Sequence, residues 1–307
     1  MSYYHLDAAS GVFVSPDVPS QPKIKTWRWL LVSCSVLFAV AMTATAIKVL
    51  AGVEQATVAL PGVAASNNLQ APGPQVQSAF VDEGAEPSQM QRELEAWIKN
   101  KPSSWAFYVQ SVDENEPRAS IHENKQFQMA SIYKLFLLKP LASKIPAEAW
   151  GNSSITDRTY LDCVQAMISV SNNPCAEAIA SKLGWTSIHK QTQSDGYKST
   201  SLNSIEKFNS SVADTGLLLD RLFHGDGYDA KTKSIALEAL AKRKGAEAIR
   251  RACTECSVYN KTGDLNGNKH DAAIVEKNGK VYIVVIFSSG ATWPQLTEAA
   301  KIISSNL

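Results

Sequence analysis

The most sharply bounded pattern in the chain is an uncharged, largely apolar run from Trp29 to Ile47. As an α-helix rising 1.5 Å per residue, this run would extend about 28 Å, close to the thickness of a bilayer's hydrocarbon core. We therefore predict a transmembrane helix over residues 29–47.

Basic residues set the orientation of this span. Lys23, Lys25 and Arg28 precede it, and only Lys48 follows closely. By the positive-inside rule, residues 1–28 form a short cytoplasmic segment and everything after the span lies outside the cytoplasm. A cleaved signal peptide is the alternative, but its apolar core is usually shorter and closer to the N-terminus.

The pattern then changes twice. Residues 48–87 contain scattered Pro, Gly, Ala, Ser, Asn and Gln with no sustained apolar period, which is typical of a flexible linker. From residue 88 the apolar positions become periodic. We therefore predict one globular domain over residues 88–307.

Helical and strand periods divide this domain into three parts. It opens with a helix over 87–99, a hairpin within 105–121 and an apolar helix over 131–145 that bends or ends near Pro140. The middle is helical over 159–170, 174–183, 211–223 and 231–251. Strands return at 257–261, 271–277 and 280–288, the last two joined by the turn dipeptide Asn278-Gly279, and a helix over 293–305 ends the chain.

This order predicts an α+β fold: an antiparallel sheet flanked by the terminal helices, with a helical lobe beside it. A cleft between sheet and lobe is where a site is expected.

Charge excludes one class of partner. The chain has 30 Lys and Arg against 29 Asp and Glu, so no basic excess is present to neutralise a phosphate backbone. Nucleic acid is not an expected partner.

Four of the five cysteines follow the predicted span, namely Cys163, Cys175, Cys253 and Cys256. An even number in an oxidising compartment favours disulfides. We expect Cys163 to pair with Cys175 and Cys253 with Cys256, although four cysteines permit three connectivities. A redox pair or half of a zinc site is the alternative for the Cys-x-x-Cys segment.

The first candidate chemistry is Ser131-Ile-Tyr-Lys134, at the start of the predicted helix over 131–145. Helical spacing puts the hydroxyl and the amine on one face, where a neutral lysine could activate the serine. Alone the motif is weak, because the same spacing occurs on many solvated helix faces.

Two further motifs follow. Ser171-Asn172-Asn173 lies in the break between two predicted helices, where its ordinary role would be capping before Pro174. Lys261-Thr262-Gly263 ends a predicted strand, and its ordinary role would be a turn.

Taken together and in this order, the three motifs resemble the signatures of class A β-lactamases and penicillin-binding proteins. The resemblance covers roughly residues 88–307 and includes the strand segment 269–275 after the lysine motif. It implies a serine acyl hydrolase that reacts with β-lactams or peptidoglycan peptides, and it requires no metal and no cofactor.

The resemblance also implies a role for each matching residue. Ser131 would be the nucleophile, Lys134 its base, and Ser171, with Lys261 beside it, the proton relay to the leaving nitrogen. The substrate-binding residues would be Asn173, Thr262, Gly263 and Asp264. The oxyanion would rest on the backbone N–H groups of Ser131 and Asp264.

Two departures concern acyl release. Class A enzymes use a glutamate on a loop after the second motif, and Glu206 lies at a similar spacing, but only a short segment separates it from the next predicted helix. Its ordinary reading is a surface acid. The second motif also reads Ser-Asn-Asn in place of the usual Ser-Asp-Asn.

Four functions therefore remain open: a β-lactamase, which needs fast release by water; a DD-peptidase or related esterase; a β-lactam or cell-wall sensor; and a non-catalytic scaffold. The intact motifs favour an enzyme, and the short cytoplasmic segment leaves a sensor in need of a partner. A β-lactamase-like hydrolase is the reading we favour.

Overall fold

The computed structural model describes residues 5–6, 13–14, 86–204, 207–243, 245 and 247–307. The chain divides into two compact units, Met1–Val76 and Gln77–Leu307. In the first unit, strand β1 (His5–Leu6) pairs antiparallel with β2 (Phe13–Val14). The predicted span over 29–47 lies outside the described residues, and no helix within them is both long and apolar enough to cross a membrane.

The second unit begins with helix and sheet and continues into a helical region. Its first elements are α1 (Gln89–Ile98), β3 (Ser104–Ser111), β4 (Ala119–Ile121), β5 (Phe127–Gln128), a 3-10 helix (Ala130–Leu137), α2 (Leu138–Lys144) and a 3-10 turn (Ala147–Ala149). The next are β6 (Ser154–Ile155), β7 (Arg158–Thr159), α3 (Tyr160–Ser169), α4 (Asn173–Leu183), α5 (Trp185–Ser194), β8 (Ser201–Ser204) and β9 (Lys207–Ser210). The last are α6 (Val212–His224), α7 (Ala230–Ala241), α8 (Ala248–Ala252), β10 (Ser257–Leu265), β11 (Asn268–Lys277), β12 (Lys280–Ser289) and α9 (Trp293–Ser305).

The main sheet has five antiparallel strands in the order β10-β11-β12-β3-β4. Two tight turns set the register of its long strands: Asn266-Gly267 joins β10 to β11, and Asn278-Gly279 joins β11 to β12. Both residues of each turn have positive φ, the conformation that favours Asn-Gly in two-residue hairpins.

Each face of this sheet supports its own core. Alternate side chains such as Phe107, Val284 and Ile286 pack on one face with α1, α8 and α9. The opposite face packs with α6 and the 3-10 helix, whose other side meets the helical lobe. The α+β architecture expected from the sequence, with an antiparallel sheet flanked by terminal helices, is therefore observed.

Glycine permits the closest helix–sheet approach. A Cβ on Gly216 of α6 would lie 2.6 Å from a ring carbon of Tyr108 on β3. Because real Cβ contacts are not this short, Gly216 lets α6 lie flat against the sheet.

Most predicted elements are present, and two of their helices begin at capping residues. The side chain of Ser88 accepts a hydrogen bond from Gln91 N at the start of α1. Thr292 and Gln295 form a capping box at the start of α9, the helix predicted with the same limits. Pro140 is tolerated because it lies in the first turn of α2.

Three expectations were wrong, two about the helical middle and one about the strand that follows it. The single helix over 231–251 is two helices, α7 and α8, and the break contains Gly245. Helix α5 and the β8–β9 hairpin lie where no element was predicted, because these segments are short and contain too few apolar residues to show a period. Strand β10 continues through Lys261-Thr262-Gly263 as far as Leu265, so this motif lies within a strand and not at its end.

Both predicted disulfides are present. Cys163 of α3 is bonded to Cys175 of α4, and Cys253 to Cys256, with Cα–Cα distances of 4.9 Å and 5.4 Å. Glu255 places a carboxylate oxygen within 4.8 Å of the last two sulfurs, but their disulfide removes the thiolates that a zinc site would use.

Candidate active site

The 3-10 helix Ala130–Leu137 presents the candidate nucleophile. Seven of its eight residues are buried in the core, and Ser131 alone is half-buried. The preceding residue, Ala130, has φ +46°, a left-handed conformation that L residues rarely adopt. This turn starts the helix so that its first hydroxyl reaches the surface of the cleft.

Lys134 lies on the same face of this helix and is fully buried. Its Nζ donates hydrogen bonds to Ser131 Oγ at 3.2 Å, to the Ser171 carbonyl oxygen at 2.6 Å and to Asn173 Oδ1 at 2.6 Å. Burial lowers the pKa of Lys134 to about 8, against the opposing charge of Glu177. The amine is therefore held against the hydroxyl, and it loses its proton more readily than a solvated lysine does.

The Ser171-Asn172-Asn173 turn connects α3 to α4. Ser171 has φ +56°, and this left-handed backbone directs its carbonyl oxygen to Lys134 while its hydroxyl accepts a hydrogen bond from Lys261 Nζ. Asn172 caps α4 by accepting from Cys175 N at 2.9 Å. Asn172 thus caps α4, while its neighbours Ser171 and Asn173 contact the buried lysines. Asn172 stands where the motif of class A enzymes usually has Asp, and Asn and Asp cap helices about equally well.

A second buried lysine completes the hydrogen-bond chain. Lys261 Nζ also donates to the Thr262 carbonyl oxygen at 2.7 Å. Burial, together with the nearby charges of Lys134 and Arg243, lowers the pKa of Lys261 well below its usual range. Ser171 thus accepts hydrogen bonds from both lysines, from Lys134 at its carbonyl oxygen and from Lys261 at its hydroxyl.

Thr262 and Gly263 lie in β10 beside the turn that carries Ser131. The Thr262 hydroxyl accepts a hydrogen bond from the Arg243 guanidinium. A Cβ on Gly263 would lie 2.9 Å from the Met129 carbonyl oxygen and 3.1 Å from Ala130 Cβ. The glycine therefore lets β10 approach the turn that carries Ser131, a close contact within the protein itself.

Asp264 and Ser131 lie on one pocket of about 180 Å³. The pocket is lined by Ala130, Ser131, Tyr133, Asn173, Glu177, Phe208, Asp264 and Leu265. The Asp264 carboxylate is turned toward Lys269 Nζ, at 3.0 Å, and Trp293 Nε1, at 3.1 Å. The remaining candidate, Glu206, lies outside the described residues.

A buried histidine contacts the segment just before the turn that carries Ser131. His270 of β11 accepts from Ser288 N at Nδ1, 3.3 Å, and its Nε2 lies 2.8 Å from the Gln128 carbonyl oxygen. Burial lowers the pKa of His270 to about 4, so the ring is neutral at pH 7. Because Nδ1 accepts, Nε2 carries the proton and donates to Gln128, two residues before Ala130.

Asp271, the next residue, connects the sheet to α8. Its carboxylate accepts from Asn260 Nδ2 at 2.9 Å and from Ile249 N at 3.0 Å. Complete burial raises the pKa of Asp271 to about 7. This network fixes the start of α8 behind Thr262, the strand partner of Asp271.

A family comparison adds to this geometry. A model described as the beta-lactamase enzyme family matches residues 146–305, slightly more than half of the chain. The chain belongs to the beta-lactamase enzyme family. The matched region contains the Ser171-Asn172-Asn173 and Lys261-Thr262-Gly263 motifs and begins after Lys134. No curated protein matches the sequence.

Several solved structures share the fold. PBP-A matches with 15% identity, a TM-score of 0.63 and coverage of 72% of this chain and 98% of its own. A PBP-A mutant in acyl-enzyme complex with penicillin G matches with 16% identity, a TM-score of 0.63 and coverage of 71% and 95%. The class A beta-lactamase from Mycobacterium abscessus matches with 18% identity, a TM-score of 0.64 and coverage of 71% and 98%.

Two residues at the site were missed at the level of sequence. Arg243 was placed inside a continuous helix, although Gly245 just beyond it signals a helix end. Glu177 follows Asn173 by one helical turn, a spacing that puts both on one face of α4. Neither residue belongs to the three motifs, which is why the motifs did not reveal them.

Proposed function

We propose that this protein is a membrane-anchored serine hydrolase in which a β-lactam or related amide acylates Ser131, and that β-lactamase-like hydrolysis is its main activity. The observation that carries the proposal is the position of Lys134 Nζ, 3.2 Å from Ser131 Oγ, with a pKa of about 8. A hydroxyl next to an amine that is neutral in part at pH 7 is an activated nucleophile.

Acylation would start with proton transfer from Ser131 to Lys134 as Ser131 Oγ attacks the substrate carbonyl carbon. The oxyanion would rest on the backbone N–H groups of Ser131 and Asp264, which lie on the same pocket. The Ser171 hydroxyl, hydrogen-bonded to Lys261, would then pass a proton to the leaving nitrogen.

Substrate binding would use the polar groups around this pocket. Asn173 Oδ1 accepts a hydrogen bond from Lys134 Nζ, so the amide N–H groups of Asn173 can donate to a substrate carbonyl oxygen. The Thr262 hydroxyl, supported by the Arg243 guanidinium, would bind the substrate carboxylate. Gly263 contributes by keeping β10 close to Ser131.

A DD-peptidase is the second candidate, and one observation favours it. Helix α6 begins at Val212, one residue after β9 ends at Ser210, and β9 pairs with β8, so the chain leaves little room before α6 for a dedicated water-activating loop. Such a peptidase would form the same acyl-enzyme with Ser131 and would differ in how quickly water releases it.

Time-resolved mass spectrometry of the full-length protein with one penicillin separates these functions. A β-lactamase-like hydrolase forms a transient adduct that decays while substrate turns over. A DD-peptidase forms a lasting adduct with penicillin and cleaves a peptide ending in D-Ala-D-Ala. Absence of any adduct would reject the acyl-enzyme proposal in both forms.

The proposed location rests on sequence. The basic cluster before residues 29–47 would keep residues 1–28 in the cytoplasm and place the hydrolase domain outside, tethered through residues 48–87. This arrangement agrees with two disulfides in the same part of the chain.

A further inference from the structure

We propose that Glu177 of α4 is the general base that activates the water that releases the acyl group from Ser131. This inference rests on the proposed acylation of Ser131. It assigns the release step to a residue outside the three motifs and different from Glu206.

The geometry of α4 brings Glu177 to the site. The helix starts at Asn173, whose side chain contacts Lys134, and Glu177 follows one turn later on the same face. Both residues line the pocket that also contains Ser131. Glu177 and Ser131 therefore line one small cavity of about 180 Å³.

Glu177 is also the carboxylate in this pocket that is available for chemistry. The other lining carboxylate, Asp264, is engaged by Lys269 and Trp293. Among the described residues, no hydrogen bond or ion pair engages the Glu177 side chain. Its negative charge nevertheless acts on both Lys134 and Tyr133, which places it within electrostatic reach of the nucleophile helix.

Apolar side chains line part of the same pocket. The Tyr133 ring stacks on Phe208 with centroids 4.4 Å apart, and Leu265 lines the same cavity. The Glu177 side chain is exposed, so water reaches its carboxylate from solvent, and these apolar neighbours offer that water no competing hydrogen-bond partner.

The release step balances without a further reactant. Glu177 takes a proton from water as the water oxygen bonds to the ester carbonyl carbon. The tetrahedral intermediate then collapses, the bond from carbon to Ser131 Oγ breaks, and Oγ regains a proton from Glu177 through the Lys134 amine. The product leaves as a carboxylic acid.

Single-turnover kinetics with full-length protein and one penicillin test this role. Acylation and release are followed separately by mass spectrometry for wild type, E177Q, E177D, E206Q and the surface control E148Q. Removal of a general base should slow release about 100-fold or more in E177Q. The label should still form, E177D should keep part of the release rate, and E206Q and E148Q should behave as wild type.

A chemical rescue separates a base from a structural role. In E177A, added formate should restore release in proportion to its concentration, which a merely destabilised site would not show. The proposal is overturned if E177Q releases at the wild-type rate, if E206Q alone is slow, or if the wild-type adduct never decays. Failure of the proposed acylation of Ser131, on which this role rests, looks different, because wild type would then form no adduct at all.

Discussion

Lys134 is a residue whose environment decides its chemistry. A solvated lysine is almost fully protonated at pH 7, whereas a pKa of about 8 leaves roughly a tenth of Lys134 neutral. The Ser171 carbonyl oxygen and Asn173 Oδ1 both accept from the amine and so hold it beside Ser131 in either protonation state.

The first prediction is a pH profile. Because neutral Lys134 is the base, the rate of penicillin acylation should rise about tenfold per pH unit below pH 8 and level off above it. The rate is measured by single-turnover labelling from pH 6 to pH 9.5 at constant ionic strength. K134R, which keeps the charge without a usable base, should be slow and flat, and a flat wild-type profile would remove Lys134 from this role.

A second prediction separates two neighbouring asparagines. N172A should lower the free energy of unfolding by about 1 kcal/mol through loss of the α4 cap, while N172D should keep wild-type stability. N173A should instead slow acylation strongly, because it removes a Lys134 partner and a substrate contact. Urea unfolding and acylation rates measure the two effects, and an N172A protein as slow as N173A would contradict this division.

At the residue scale, the sequence predicted the pairs that lie close along the chain. Helical spacing alone placed Ser131 and Lys134 on one face. It could not show that Lys134 reaches Ser171 and Asn173, because these contacts depend on how α3 and α4 pack. Glu177 shares a helix face with Asn173, a spacing that the sequence shows, but its place in the pocket with Ser131, like the contact of Arg243 with Thr262, depends on the packing.

At the scale of elements, long periodic segments were predictable and short irregular ones were not. α9 and the α1 cap follow from apolar spacing and capping residues. The β8–β9 hairpin is specified by its pairing with β5, a long-range contact with no local signal. β10 extends past Gly263 because β11 pairs with it as far as Asn268.

A third prediction concerns the disulfide that joins α3 to α4 across the Ser171 turn. Loss of a crosslink with a sequence separation of 12 should cost about 3 kcal/mol of unfolding free energy in the C163A/C175A double variant. Acylation should slow as well, because the turn loses its support. The Cys253–Cys256 disulfide closes a much shorter loop, so the C253A/C256A control should lose less stability. Equal acylation rates in the two double variants would show that the Cys163–Cys175 disulfide does not order the site.

For the whole molecule, the central question is where the hydrolase domain operates. The fourth prediction is that protease added outside intact cells removes residues 88–307, since the basic cluster precedes the apolar run. Residues 1–28 should remain protected until the membrane is opened. Complete protection of the domain in intact cells, with cleavage only after lysis, would reverse the proposed orientation.

The sheet and the helical lobe meet at the buried 3-10 helix, and three chain segments bring Ser131, Ser171 and Lys261 together there. Every step of the proposed reaction requires that Ser131 is acylated.

The most direct test is peptide mapping after brief exposure of the full-length protein to a penicillin. We expect the mass of the intact ligand to be added to the peptide containing Ser131, and S131A, folded as judged by circular dichroism, to gain no label. A label on any other residue, or a label that persists in S131A, would contradict the assignment of Ser131 as the nucleophile.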